Sequence, residues 1–286
     1  MPAPSITLRQ AQRDASERLA ALPHGSPELE AALLLGHLLG KPRSYLFAWP
    51  EATLTDAQRA AYRRLVERRL AGEPIAYITG EREFWSLPLE VTPDTLIPRP
   101  ETELLVELAL ERLQSRSSPR IADLGTGSGA IALALAKERP EALIHASDRG
   151  EATLRVARRN AERLGLRQVR FFLGHWCQAL PADQEYDLIV SNPPYIEAGD
   201  PHLGRGDLPR EPAGALVAGP DGLREIRHIA RQCLAHLAPG GWLLLEHGHQ
   251  QATAVRGILR QHGYHEIASF TDLAGSPRAS IGSRPP

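Results

Sequence analysis

Asn192-Pro193-Pro194-Tyr195 is the run whose residue types say most about chemistry. Asp187-Leu188-Ile189-Val190 leads into it and reads as a buried strand ending at Ser191. Neither proline has an N–H to give a sheet ladder, so the strand stops there. Pro193 also pushes Asn192 out of the α region. A carboxamide, two rigid residues and an aromatic ring therefore stand at the carboxyl end of a strand, the edge where open α/β sheets bind ligands. Asn-Pro alone would read as a turn capping a strand. The full run with a glycine loop upstream favours a ligand site.

That loop is Asp123-Leu124-Gly125-Thr126-Gly127-Ser128-Gly129, which follows a strand and opens a helix. Its glycines permit a tight turn and close approach of a ligand to backbone, and the helix start offers free N–H groups. Gly125, Gly127 and Ala130 also satisfy a dinucleotide fingerprint. Asp148, at the end of the second strand, is placed to hold a ribose diol, with an N-cap of the next helix as its plain alternative. Loop and acid together expect an adenosine-type nucleotide without choosing between NAD and S-adenosylmethionine. Trp176 either packs on an adenine ring or is an ordinary core tryptophan.

The Asn-Pro-Pro-Tyr run favours methyl transfer to a planar nitrogen. An amide or exocyclic amine has a delocalised lone pair and is a poor nucleophile. The Asn192 side-chain oxygen and the Pro193 carbonyl can each accept a hydrogen bond from such an NH2 group, and Tyr195 can stack on its plane. This is catalysis by orientation and electrostatics. A sulfonium donor is already activated, so the reading calls for no metal. Glu246-His247-Gly248-His249 invites a metal or general-base role, but with no third ligand evident it reads as an end-of-strand structural cluster.

The elements that must position these groups fall into two patterns. Residues 1–75 read as a small helical module, with helices over Thr7 to Leu22, from Ser26-Pro27-Glu28 to about Leu39, and from the Thr55–Gln58 capping box to about Ala71. Arg59, Arg63, Arg64, Arg68 and Arg69 on the third helix read as a solvated face balanced by Asp56 and Glu67, or as a docking surface for an acidic macromolecule. Residues 76–98 read as an extended, hairpin-like linker, and Ile75 to Gly80 as a short strand. Residues 99–286 read as a second domain, in which strands alternate with helices from Arg120 on, which implies a mostly parallel sheet covered on both faces.

The 286 residues suffice for such a pair of domains. A net charge of −1 gives no overall pull toward nucleic acid or an anionic membrane. Cys177 and Cys233 have no metal-type spacing and suit a reducing cytoplasm. Met1-Pro2-Ala3-Pro4-Ser5 does not look like a secretion signal, and no apolar run is long enough to span a bilayer.

With these residues in place, the chain resembles the PrmC/HemK family of protein-glutamine N5-methyltransferases. The resemblance spans the helical module, Ile97-Pro98-Arg99-Pro100-Glu101-Thr102-Glu103, the glycine loop, Asn192 to Tyr195, Asp200-Pro201-His202-Leu203, Glu211-Pro212 and Leu244-Leu245-Glu246-His247-Gly248. It implies a class I methyltransferase, a Rossmann-like α/β fold whose seven-stranded sheet has its last strand antiparallel, behind a small all-helical domain that docks the substrate. It implies transfer from S-adenosyl-L-methionine, giving S-adenosyl-L-homocysteine, to the Gly-Gly-Gln glutamine of peptide-chain release factors. By position, Gly125, Thr126, Gly127, Ser128 and Gly129 would hold the methionine part, Asp148 the ribose, Trp176 the adenine, and Asn192, Pro193, Pro194 and Tyr195 the glutamine, with Asn192 also at the donor. The family often carries an acid before the tryptophan, where this chain has His175. A backbone carbonyl or the histidine itself would then accept from the adenine amino group. A cytoplasmic monomer that touches neither nucleic acid nor membrane is expected. The tetrapeptide is shared with DNA adenine N6-methyltransferases, the competing enzyme class, but the charge balance and the small helical first module argue against them. A donor-binding adaptor without turnover is the non-enzymatic alternative.

Overall fold

A computed structural model describes residues 6–23 and 25–286. Met1-Pro2-Ala3-Pro4-Ser5, read above for a secretion signal, lies outside the described residues. The chain forms two units, Met1–Glu81 with Pro201–Arg210, and Arg82–Asp200 with Glu211–Pro286.

The first unit holds β1 (Ile6–Thr7), α1 (Leu8–Leu19), α2 (Pro27–Leu39), α3 (Arg43–Ala48), β2 (Thr53–Leu54), α4 (Asp56–Leu70) and α5 (Ile75–Thr79). Thr55 and Gln58 form the expected capping box at α4, and Thr7 with Gln10 forms a second at α1. Ser26 occupies the N-cap position of α2, but its side chain makes no capping bond. Leu19, Leu34, Leu35, Tyr62 and Val66 fill one core. Two sequence expectations change here. Ile75 to Gly80 is not a strand. Pro74 starts a helical turn, its carbonyl accepts from the amides of Tyr77 and Ile78, and Gly80 closes the turn in the left-handed region. Burial of Ile78 in the helical core overrides the β preference of its side chain. Nor do all five arginines of α4 form a solvated face. Arg69 is buried, its guanidinium bonded to both Glu30 oxygens at 2.9 and 3.0 Å and to Asp207 at 2.8 Å.

After α5, β3 (Glu81–Phe84) and β4 (Leu87–Glu90) pair around Trp85 and Ser86, which both adopt positive φ. Then follow α6 (Glu103–Arg112), β5 (Arg120–Leu124), α7 (Ala130–Glu138), β6 (Leu143–Asp148), α8 (Glu151–Leu164), β7 (Val169–Leu173), β8 (Tyr186–Ser191), α9 (Arg224–Cys233), β9 (Leu237–Glu246), α10 (Ala252–Gln261), β10 (His265–Thr271) and β11 (Pro277–Ser283). One seven-stranded sheet runs in the order β10-β11-β9-β8-β5-β6-β7. Strands β7, β6, β5, β8 and β9 are mutually parallel, and β11, the last strand, is antiparallel to both neighbours. The continuous apolar run of β8 is explained by burial on both sides. Leu188 and Val190 enter the core under α6 and α7, while Ile189 enters the opposite core with α9 and α10. Each such side chain contributes roughly 1.5–3 kcal/mol. Among the described residues no helix is long and apolar enough to cross a membrane.

Candidate active site

The order of the parallel strands reverses between β5 and β8, the switch point where open α/β sheets hold ligands. Leu124 pairs with Ser191, whose Oγ donates to the Leu124 carbonyl at 2.7 Å. The chain thus leaves the two strands side by side, into Gly125 on one and Asn192 on the other.

The glycine loop is tied to β6. The amides of Gly125 and Thr126 both donate to the Ser147 carbonyl, at 2.8 and 2.9 Å. The Gly127 amide donates to Asp148 Oδ2 at 3.1 Å, and Gly150 to Oδ1 at 2.9 Å. Asp148 therefore stabilises the start of the next segment and also faces the cavity. Burial raises its carboxyl above the usual range, against the lowering effect of those two amides. Gly125 has φ +72°, and a Cβ there would lie 2.8 Å from the Trp176 ring, so glycine is what lets the ring approach the loop.

Gly125, Gly127, Asp148, Trp176, Asn192 and Pro194 line one cavity. Thr126, Ser128, Gly129, Pro193 and Tyr195 are not among its lining residues. Thr126 Oγ1 donates to Asp123 Oδ2 at 2.6 Å, and the Ser128 carbonyl accepts from Asn160 at 2.9 Å. Gly129, with φ +89°, opens α7. Pro193 is buried. Tyr195 packs against the α9 and α10 core, and its hydroxyl donates to Glu246 Oε1 at 3.2 Å. The Tyr195 carbonyl lies so close to Gly222 that a Cβ there would come within 2.2 Å of it.

Trp176 adopts φ +51°, rare for a bulky residue. Its ring both lines the cavity and packs in the core with Ala122 and Leu124. Its indole N–H donates to Glu225 Oε2 at 3.0 Å. Glu225, in the first turn of α9, lines the same cavity, with His175 Nε2 3.9 Å from it. Burial works against its charge, but the bonds from Arg224 and Trp176 outweigh that and hold its carboxyl below the usual range. His175 is lowered by burial, against the pull of Glu225.

Asn192 Nδ2 donates to Thr102 Oγ1 at 3.1 Å, and Thr102 Oγ1 donates to Glu246 Oε2 at 2.7 Å. Burial pushes the Glu246 carboxyl up to about 7. His247 is bonded through Nε2 to Ser280 and through Nδ1 to the Gly248 carbonyl, a structural arrangement. Sequence reading passed over Thr102 and Glu225 as site residues. It also missed two ties that hold the cavity wall at Pro212–Ala215, the Arg99–Glu211 ion pair and the Arg149 bond to the Gly214 carbonyl at 3.0 Å. Arg99 and Glu211 stand in runs that carry the resemblance. Nothing in the sequence flags Glu225, which reaches the site only because α9 packs beside the turn at Trp176.

Comparison with known proteins bears on this arrangement. The PrmC N-terminal domain family matches residues 10–80, and the methyltransferase small domain family matches residues 102–204. A release factor glutamine methyltransferase of Vibrio cholerae serotype O1 is 50% identical over 278 residues, covering 97% of each chain. One from Escherichia coli strain K12 is 49% identical over 257 residues, covering 90% of this chain and 92% of the other. A methyltransferase structure from Pyrococcus furiosus shares the fold, with 20% identity, a TM-score of 0.51, and coverage of 77% of this chain and 98% of the other. With half its residues identical to such a relative over nearly its whole length, the chain belongs to the family of release factor glutamine methyltransferases.

Proposed function

We propose that the chain methylates the side-chain amide nitrogen of the Gly-Gly-Gln glutamine in peptide-chain release factors, with S-adenosylmethionine as donor. The observation that carries this is the meeting of Gly125, Gly127, Asp148, Trp176 and Asn192 on one cavity at the switch point of a family member's sheet.

The residues fit the donor. A Cβ at Gly127 would meet nothing within 4 Å, so the loop leaves open space there. Each Asp148 oxygen takes one backbone amide and keeps a lone pair for a ribose hydroxyl. Trp176 offers a ring face to adenine. Glu225 takes the part of the acid that position 175 lacks, presenting a charged acceptor to the adenine amino group from α9 instead.

S-adenosylmethionine supplies a methyl group on a sulfonium that needs no further activation. The work left to the chain is orientation. The Asn192 Oδ1 and the Pro193 carbonyl accept from the glutamine NH2 and aim its nitrogen, and Pro194 bounds the site; Tyr195, packed in the α9 and α10 core, steadies the run rather than stacking on the amide. Preorganised acceptors of this kind favour the developing positive charge on nitrogen. The helical module over residues 1–75 grips the protein substrate. Release factors as partners, action in the cytoplasm and a monomeric state belong to the same reading.

The test is peptide-level mass spectrometry of an unmodified release factor after incubation with enzyme and donor. One methyl on the Gly-Gly-Gln glutamine is expected. A methyl on other residues, with that glutamine unchanged, contradicts the reading.

A further inference from the structure

A carboxamide can sit in two orientations that exchange its oxygen and its NH2 group. For Asn192 they are opposite in effect. One points an acceptor at the substrate amide, and the other a donor that repels it. The backbone of Asn192 does not choose between them, because both have the same shape.

The choice comes from behind. Glu246, 2% exposed, ends β9 one residue past Leu245, which pairs with Ser191 on β8. In the ionised form its Oε2 accepts the hydroxyl of Thr102 at 2.7 Å. Thr102 has a single hydroxyl proton and spends it there, so toward Asn192 it can only accept. It does so from Nδ2 at 3.1 Å, which leaves Oδ1 for the substrate. The other Glu246 oxygen accepts the Tyr195 hydroxyl at 3.2 Å, so one carboxylate steadies both ends of the Asn-Pro-Pro-Tyr run. We infer that Glu246 and Thr102 are positioning residues that lock the Asn192 carboxamide with its oxygen toward the glutamine. This rests on the proposed methyl transfer. In Glu246→Gln the new amide can donate to Thr102, which frees the Thr102 proton for Asn192 Oδ1 and lets the carboxamide turn over.

The test uses the full chain as wild type, Glu246→Gln, Thr102→Val, Thr102→Ser and the double variant Thr102→Val/Glu246→Gln. Turnover on a release factor, donor affinity by calorimetry and thermal melting are measured for each. Glu246→Gln and Thr102→Val are expected to lower kcat roughly tenfold or more with donor affinity within about twofold of wild type. Thr102→Ser should recover most of the loss. The double variant should be no slower than the slower single, because both break one relay. Folded variants with kcat near wild type overturn the inference. So does a parallel loss of donor affinity, or the failure of both single variants to fold, since each makes the pair mere structural support. A wild-type chain that binds donor but leaves the release factor unmethylated overturns the underlying reading, and the inference with it.

Discussion

The Gly127 amide donates to Asp148 Oδ2 at 3.1 Å, so the glycine loop after one strand is fastened to the end of the next. A carboxylate expected to bind ribose is also a strut of the loop beside it. Asp148→Ala should therefore weaken donor binding twice over, through a lost ribose contact and a loosened loop. A loss of about 10–100-fold in affinity corresponds to about 1.4–2.8 kcal/mol. Calorimetric titration with donor checks this, and an unchanged affinity contradicts the ribose role.

Asn192→Ala should separate chemistry from binding. The carboxamide acts on the nucleophile, so turnover should fall by about 10²–10³ while donor affinity stays within a few-fold. Single-turnover assays beside donor titration give the split. Near-normal methylation would remove Asn192 from the mechanism.

Two buried carboxyls give stability a definite pH dependence. Burial pushes Asp123 up to about 7, and Glu246 likewise to about 7. Unfolded, both would ionise near pH 4. The folded state thus binds these protons more tightly, and the stability so gained is full below about pH 4. It is lost as pH rises through the window to about 7. Among the described residues Asp123 Oδ1 has no hydrogen-bond partner, and Asp123→Asn replaces the ionisable group by a neutral one. Its melting temperature should fall less steeply than that of wild type over that window. Parallel curves would contradict the assignment.

Arg69 should be costly to remove. It is buried against Glu30 and Asp207, and truncation leaves two acids without their cation. Arg69→Ala should destabilise the first unit by about 3–5 kcal/mol, seen as an earlier transition in thermal or urea melts. A shift within error would mean that the acids find water instead.

Much of this was readable from the chain. The strand before Asn192, the glycine loop and Asp148 each carry a local signal, because turns and strand ends are set by nearby residues. What escaped reading depends on partners distant in sequence. Arg69 looked solvated because Glu30 and Asp207, 39 and 138 positions away, are invisible to helical periodicity. Ile75 to Gly80 looked like a strand because β-branched and aromatic side chains outweighed the proline and glycine that bracket a helical turn. Glu225 and Thr102 became site residues only through tertiary packing that brings α9 and the start of α6 to the sheet edge.

Methyl transfer to a release-factor glutamine can be read in a single assay. Labelled methyl from S-adenosylmethionine is offered to an unmodified release factor and to adenine-containing duplex DNA side by side. The expected result is label in the protein alone, abolished when the Gly-Gly-Gln glutamine is substituted. Label in the DNA, with none in the release factor, would contradict the account while leaving the fold and the donor cavity in place.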